Sequence, residues 1–121
     1  MPAPSPLTIA TQSVQRLVKE EKYYRKELTQ QSERVKKLEA ELKEGGGAAD
    51  GNAEFMLKQE QKAVDETKAV FVPLNERIAE AVQRLEEQIA TAESENGPAE
   101  EIQKAKEALE LGKAVGEPPV A

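Results

Sequence analysis

Residues 7–42 read LTIATQSVQRLVKEEKYYRKELTQQSERVKKLEAEL, and their spacing decides the fold. Starting from Leu7, steps of three and four residues fall on Ala10, Val14, Leu17, Glu21, Tyr24, Leu28, Gln31, Val35, Leu38 and Leu42. Nine of these eleven positions are apolar, counting Ala10 and Tyr24. A loop does not keep such a register, whereas an α-helix brings all of it onto one face. Ser5 as N-cap with Pro6 at the first helical position is favoured entry chemistry, because the N–H that proline lacks is not needed there. The expected helix covers about 6–44 and, at ~1.5 Å per residue, measures nearly 60 Å. Glu33/Lys37 and Glu39/Lys43 add acid-before-base pairs one turn apart.

A small-residue linker, 45–52, follows and leads to a second helix over about 53–95, with Asn52 a plausible cap. Its register is Leu57, Glu60, Val64, Thr67, Phe71, Leu74, Ile78, Ala81, Leu85, Gln88 and Ala92. Extra apolar residues precede the seam in the first half (Met56, Ala63, Val70) and follow it in the second (Val82, Ile89). A straight helix drifts in this way, by ~20° per heptad, which favours a bundle over a long supercoil. Pro73 interrupts the propensity pattern, since it cannot donate to the carbonyl of Ala69 and costs ~3 kcal/mol in a helix interior. It marks either a tolerated kink or a boundary between two shorter helices; the unbroken spacing Thr67, Phe71, Leu74, Ile78 favours continuity.

Asn96-Gly97-Pro98 is a turn, and a third helix is expected over about 98–113, capped by Asn96 or Gly97. Ile102, Ala105 and Leu109 form its stripe, and Gly112 reads as its stop. So short a helix is not stable alone in water and must pack on the others. Short connections make successive helices antiparallel, placing the third against the start of the first and the end of the second. The expectation is an all-α antiparallel three-helix bundle within one domain, 1–121. It would be rod-like, kinked near Pro73 and tapering to a two-helix hairpin, with a flexible tail at 114–121.

Composition narrows the chemistry. The 121 residues include no cysteine and no histidine, which removes thiolate chemistry, the commonest general base and the commonest metal ligand. Only 3% are aromatic and 33% are charged, with a net charge of -6. Gly45–Gly47 lack the Lys-Ser/Thr of a phosphate loop, and abundant carboxylates carry no information on a solvated helix. No catalytic residue, cofactor or metal is expected, and the chain reads as a non-enzyme. Its acidity argues against nucleic acid, although basic residues cluster between Arg16 and Arg25. No apolar run approaches the ~20 residues of a membrane span, and the first residues lack the pattern of a signal peptide. A soluble, cytosolic protein is the expectation.

Charge is uneven. The first segment holds nine basic and seven acidic residues, net +2; from Ala53 to Glu95 there are five basic and ten acidic, net -5. The difference is either complementarity between packed helices or a basic face for an acidic partner. The second reading points to Arg16, Lys19, Lys22 and Lys26, with Tyr23 among them. A further candidate is Val70, Val72 and Pro73, because a narrow seam cannot bury the consecutive Val70, Phe71 and Val72.

The run from Val14 to Leu28, VQRLVKEEKYYRKEL, resembles the first helix of the tubulin-binding cofactor A (tubulin-specific chaperone A) family. That family's pattern is a Lys/Arg-Arg-Leu-x-Lys-Glu core, a following aromatic and a Lys/Gln/Glu-rich helix. Leu57-Lys58-Gln59-Glu60, then Asp65-Glu66-Thr67-Lys68 and Pro73, give a second match, and the resemblance covers roughly Leu7 to Leu111. The Gly-rich linker and the tail depart from the pattern and read as insertions at tolerant sites. The resemblance implies a three-helix chaperone that captures quasi-native β-tubulin after the cytosolic chaperonin and passes it on towards assembly with α-tubulin. It further implies a monomer or weak homodimer, cytoplasmic and associated with the cytoskeleton. Other tubulin-folding cofactors are further candidate partners. The competing readings are a homo-oligomeric coiled-coil scaffold and a prefoldin-like holdase. The latter places a β-hairpin between its helices, for which the linker is too short.

Overall fold

The computed structural model describes residues 3–45 and 51–119, so most of the glycine-rich linker lies outside the described residues. The chain is an all-α three-helix bundle: α1, Pro6–Lys43; α2, Asn52–Ser94; α3, Ala99–Lys113. No strand occurs among the described residues. Ser5 caps α1 as expected: its carbonyl accepts from the Ile9 N–H at 3.0 Å and its Oγ accepts from the Thr8 N–H at 3.1 Å. Every position of both long registers is buried or half-buried, including the polar Glu21, Gln31, Glu60, Thr67 and Gln88. α2 runs through Pro73 as one helix, not two. The proline ring is exposed, while Phe71 and Leu74 on either side of it are fully buried. That burial offsets a cost of ~3 kcal/mol for the proline.

The helix ends correct three sequence expectations. Asn52 is the first residue of α2 rather than its cap; the cap position falls to Gly51 (φ 70°), whose carbonyl accepts from the Phe55 N–H. Asn96 does not cap α3. It takes the left-handed conformation (φ 55°) that closes α2, with Gly97 N–H bonded to the Ala92 carbonyl and Asn96 N–H to that of Glu93. This 6→1 and 5→2 pair is a Schellman ending. Pro98 then occupies the N-cap position of α3, without a side-chain cap bond. Gly112 does not stop α3, which continues to Lys113; it is buried where α3 meets the other helices. A Cβ there would lie 2.6 Å from Val82 Cγ2 and 3.0 Å from Val14 Cγ1.

By packing, the described residues fall into two compact units. One comprises the chain up to Glu21 with Val72–Glu117, the other Lys22–Phe71 with Pro118 and Pro119. In the first, Leu7, Ala10, Val14, Leu17 and Val18 of α1 are buried, as are Leu74, Ile78, Ala81, Leu85 and Ile89 of α2 and Ala105 and Ala108 of α3. The Lys106–Glu93 (3.0 Å) and Lys113–Glu86 (3.8 Å) ion pairs show that α3 runs antiparallel to α2. Ser5 and Thr8 both donate to the Glu101 carboxylate, at 3.1 and 2.7 Å, which ties the start of α1 to α3. In the second unit the Arg34–Glu60 ion pair (3.5 Å) and the Tyr24–Phe71 ring contact (6.5 Å) together show that α1 runs antiparallel to α2. Leu38, Ala53 and Phe71 are buried there, but Leu28, Val35, Leu42, Leu57 and Val64 are only half-buried.

Candidate partner-binding surfaces

Among the described residues no group of three or more acidic side chains is placed to hold a metal ion. What the helices offer instead is exposed side chains on their outer faces. In the first unit Arg16 and Lys19 are exposed; in the second, Lys22, Tyr23 and Lys26. None of the four cations has a carboxylate within ion-pair distance among the described residues. The reason is register: Lys19, Lys22 and Lys26 fall between the seam residues Leu17, Glu21, Tyr24 and Leu28 and so stand on the side of α1 away from α2, while Arg16 flanks the seam.

Tyr23 is 60% exposed, as expected, yet it is not isolated. Its ring meets Tyr24 edge-to-face at 5.3 Å, and Tyr24 meets Phe71 in the same manner at 6.5 Å. The Arg25 guanidinium stands 5.6 Å from the centre of the Phe71 ring. Edge-to-face pairs and a cation over a ring each add of order 1 kcal/mol beyond area burial, so Tyr23 is held on a preorganised support. Val70 is half-buried in this unit. Val72, in the first unit, is 55% exposed, and Pro73 beside it is exposed.

The sequence reading missed two features. Phe55 is 61% exposed at the start of α2, with Met56 exposed next to it; Phe55 falls off the seam register, and that offset was the available signal. The second is a groove of about 330 Å³ in the first unit. α1 supplies Ser13, Arg16, Leu17 and Glu20 to it, and α2 supplies Arg77, Glu80, Ala81 and Arg84. Each set repeats at i, i+3, i+4, i+7, one continuous stripe per helix. Leu17 and Ala81 are buried and form the floor, while the three arginines are exposed. No carboxylate among the described residues lies within ion-pair distance of any of the three.

The family model for Tubulin binding cofactor A matches residues 2–109. The chain belongs to this family. It is also similar to the tubulin-specific chaperone A of Saccharomyces cerevisiae, with 34% identity over 89 residues, 74% of this chain and 76% of the yeast protein. No solved structure matches it significantly. The tubulin binding cofactor A family is a family of tubulin chaperones and not a known class of enzyme. Its match spans α1, α2 and most of α3, so it includes every candidate residue named above. No helix among the described residues is long and apolar enough to cross a membrane.

Proposed function

We propose that this protein is a holding chaperone for β-tubulin. It captures the quasi-native chain after its release from the cytosolic chaperonin and passes it on towards assembly with α-tubulin. It works as a single helical domain, a monomer or weak homodimer, in the cytoplasm alongside the cytoskeleton and other tubulin-folding cofactors. The observation that carries this reading is the outer face of α1: Arg16, Lys19, Lys22 and Lys26 are exposed and unpaired among the described residues, on the stretch that bears the family motif. Unpaired surface cations do little for stability but speed encounter with an acidic partner. Tyr23, Val70, Val72 and Pro73 supply the apolar contacts. The reading requires no cofactor, nucleic acid or membrane.

Pull-down of purified β-tubulin against α-tubulin tests it. Retention of β-tubulin alone is expected; equal retention of both, or of neither, contradicts it. The half-buried seam of the second unit favours the scaffold as a second reading, because a pair of helices gains by burying such a seam against further copies. A stable tetramer whose solution mass is indifferent to tubulin would establish that reading instead.

A further inference from the structure

We infer that the groove over Leu17 and Ala81 is a docking site for an acidic peptide segment of the protein client, gripped by Arg16, Arg77 and Arg84. This rests on the chaperone reading for the client's identity, but its geometry stands by itself. Three guanidinium groups from two helices line one groove of about 330 Å³ on a protein whose net charge is -6. With no carboxylate in ion-pair distance among the described residues, their mutual repulsion is not compensated by a contact partner. Each planar fork can take a carboxylate through two parallel hydrogen bonds, the strongest pairing open to an exposed side chain.

The occupant follows from how these charges are spread. Arg77 and Arg84 stand two turns apart on α2, ~10 Å along its axis, a spacing that suits separate carboxylates along an extended chain. Glu20 and Glu80 share the groove and break up its positive charge. A continuous phosphate backbone meets repulsion from them, whereas separate carboxylates along a peptide can be set against the arginines alone. The buried Leu17 and Ala81 give the aliphatic stems of such side chains an apolar floor.

The test uses the full chain and a short fluorescein-labelled peptide of alternating Glu and Gly, read by anisotropy. Arg77→Gln with Arg84→Gln should weaken binding by about tenfold or more, as expected for losing charge-assisted pairs. Lys36→Gln with Lys37→Gln, exposed cations of the second unit, should leave it unchanged. Thermal melts confirm that both variants fold. Equal losses in the two variants would reduce the effect to general charge, and displacement of the peptide by equimolar inorganic phosphate would make this a small-anion site; either overturns the proposal. So does oligothymidylate binding as tight as the peptide's. Capture of β-tubulin separates the two readings. If the wild type captures it and the arginine variant captures it undiminished, the groove proposal fails and the chaperone reading stands. If the wild type captures none, the chaperone reading fails, and the peptide titration still decides the groove.

Discussion

In the first unit Val14, Leu74 and Leu85 are sealed from solvent among three helices, whereas in the second Leu28, Val35, Leu57 and Val64 stay half-buried between two. The helices are the same; the difference is α3. A helix pair buries one stripe on each partner and leaves its flanks wet, so the second unit can keep polar Gln31, Glu60 and Thr67 in its seam. Gln31 Oε1 and Glu60 Oε2 are enclosed there without a hydrogen-bond partner, at a cost that an apolar seam would not carry. The first unit carries the tighter packing and the second the looser, more adaptable surface.

The sharpest way to break that comparison is to remove α3. Deleting residues from Pro98 onward uncovers Val14 and Val82, and takes away Ala105, Ala108 and both ion pairs to α2. The melt should weaken markedly, and hydrogen exchange should accelerate most over Leu7–Val18 and Ile78–Ile89. A truncated chain that melts like the full one would show that α3 contributes no packing energy. Next in size is Phe71→Ala in the second unit. Phe71 is fully buried and supports Tyr24 and Arg25, so its truncation should cost ~3–5 kcal/mol in urea unfolding. Gly112→Ala comes third. Its added methyl would stand 2.6 Å from Val82, and overpacking of this kind costs ~1–3 kcal/mol. A neutral result would mean that α3 slides freely on its neighbours.

Gly112 also shows where a sequence stops being informative. A glycine near the end of a helical pattern reads locally as a stop; only the approach of α3 to Val14 and Val82 reveals that it is there for lack of a side chain. Ala108 was missed for the same reason, because a small residue signals close packing only once the opposing helix is known. Asn96 serves equally well as the cap of one helix or the left-handed end of another, and a short turn leaves both open. The long seams were legible because a 3–4 register over ten intervals has one structural solution. The arginine groove was not: Arg77 and Arg84 sit in a stretch of net charge -5, and only the packing of α2 on α1 brings them beside Arg16.

Smaller effects belong to the outer faces. Replacing Lys19, Lys22 and Lys26 by Glu should leave the melt nearly unchanged, since none has an ion-pair partner among the described residues. β-Tubulin capture should slow, most strongly at low salt, because such charges are screened within ~8 Å at physiological ionic strength. An association rate that ignores both the reversal and the salt would remove this face of α1 from the interface.

The smallest expected change in stability is at Val72, and it separates surface from core most cleanly. The residue is 55% exposed although both its neighbours in the register, Phe71 and Leu74, are fully buried. A solvent-facing valine replaced by serine changes stability within about ±0.5 kcal/mol. Isolated exposed apolar side chains are ordinary and need no role, so stability alone cannot show that Val72 has one. If Val72 is an apolar contact for the client, Val72→Ser should reduce β-tubulin capture while the melting temperature barely moves. Phe71→Ala makes the contrasting case: its dominant effect should be the loss of stability. Should Val72→Ser instead behave like Phe71→Ala, the side chain belongs to the packed interior of its unit. The apolar part of the client contact would then have to come from Tyr23 and from the exposed Phe55 and Met56 at the start of α2.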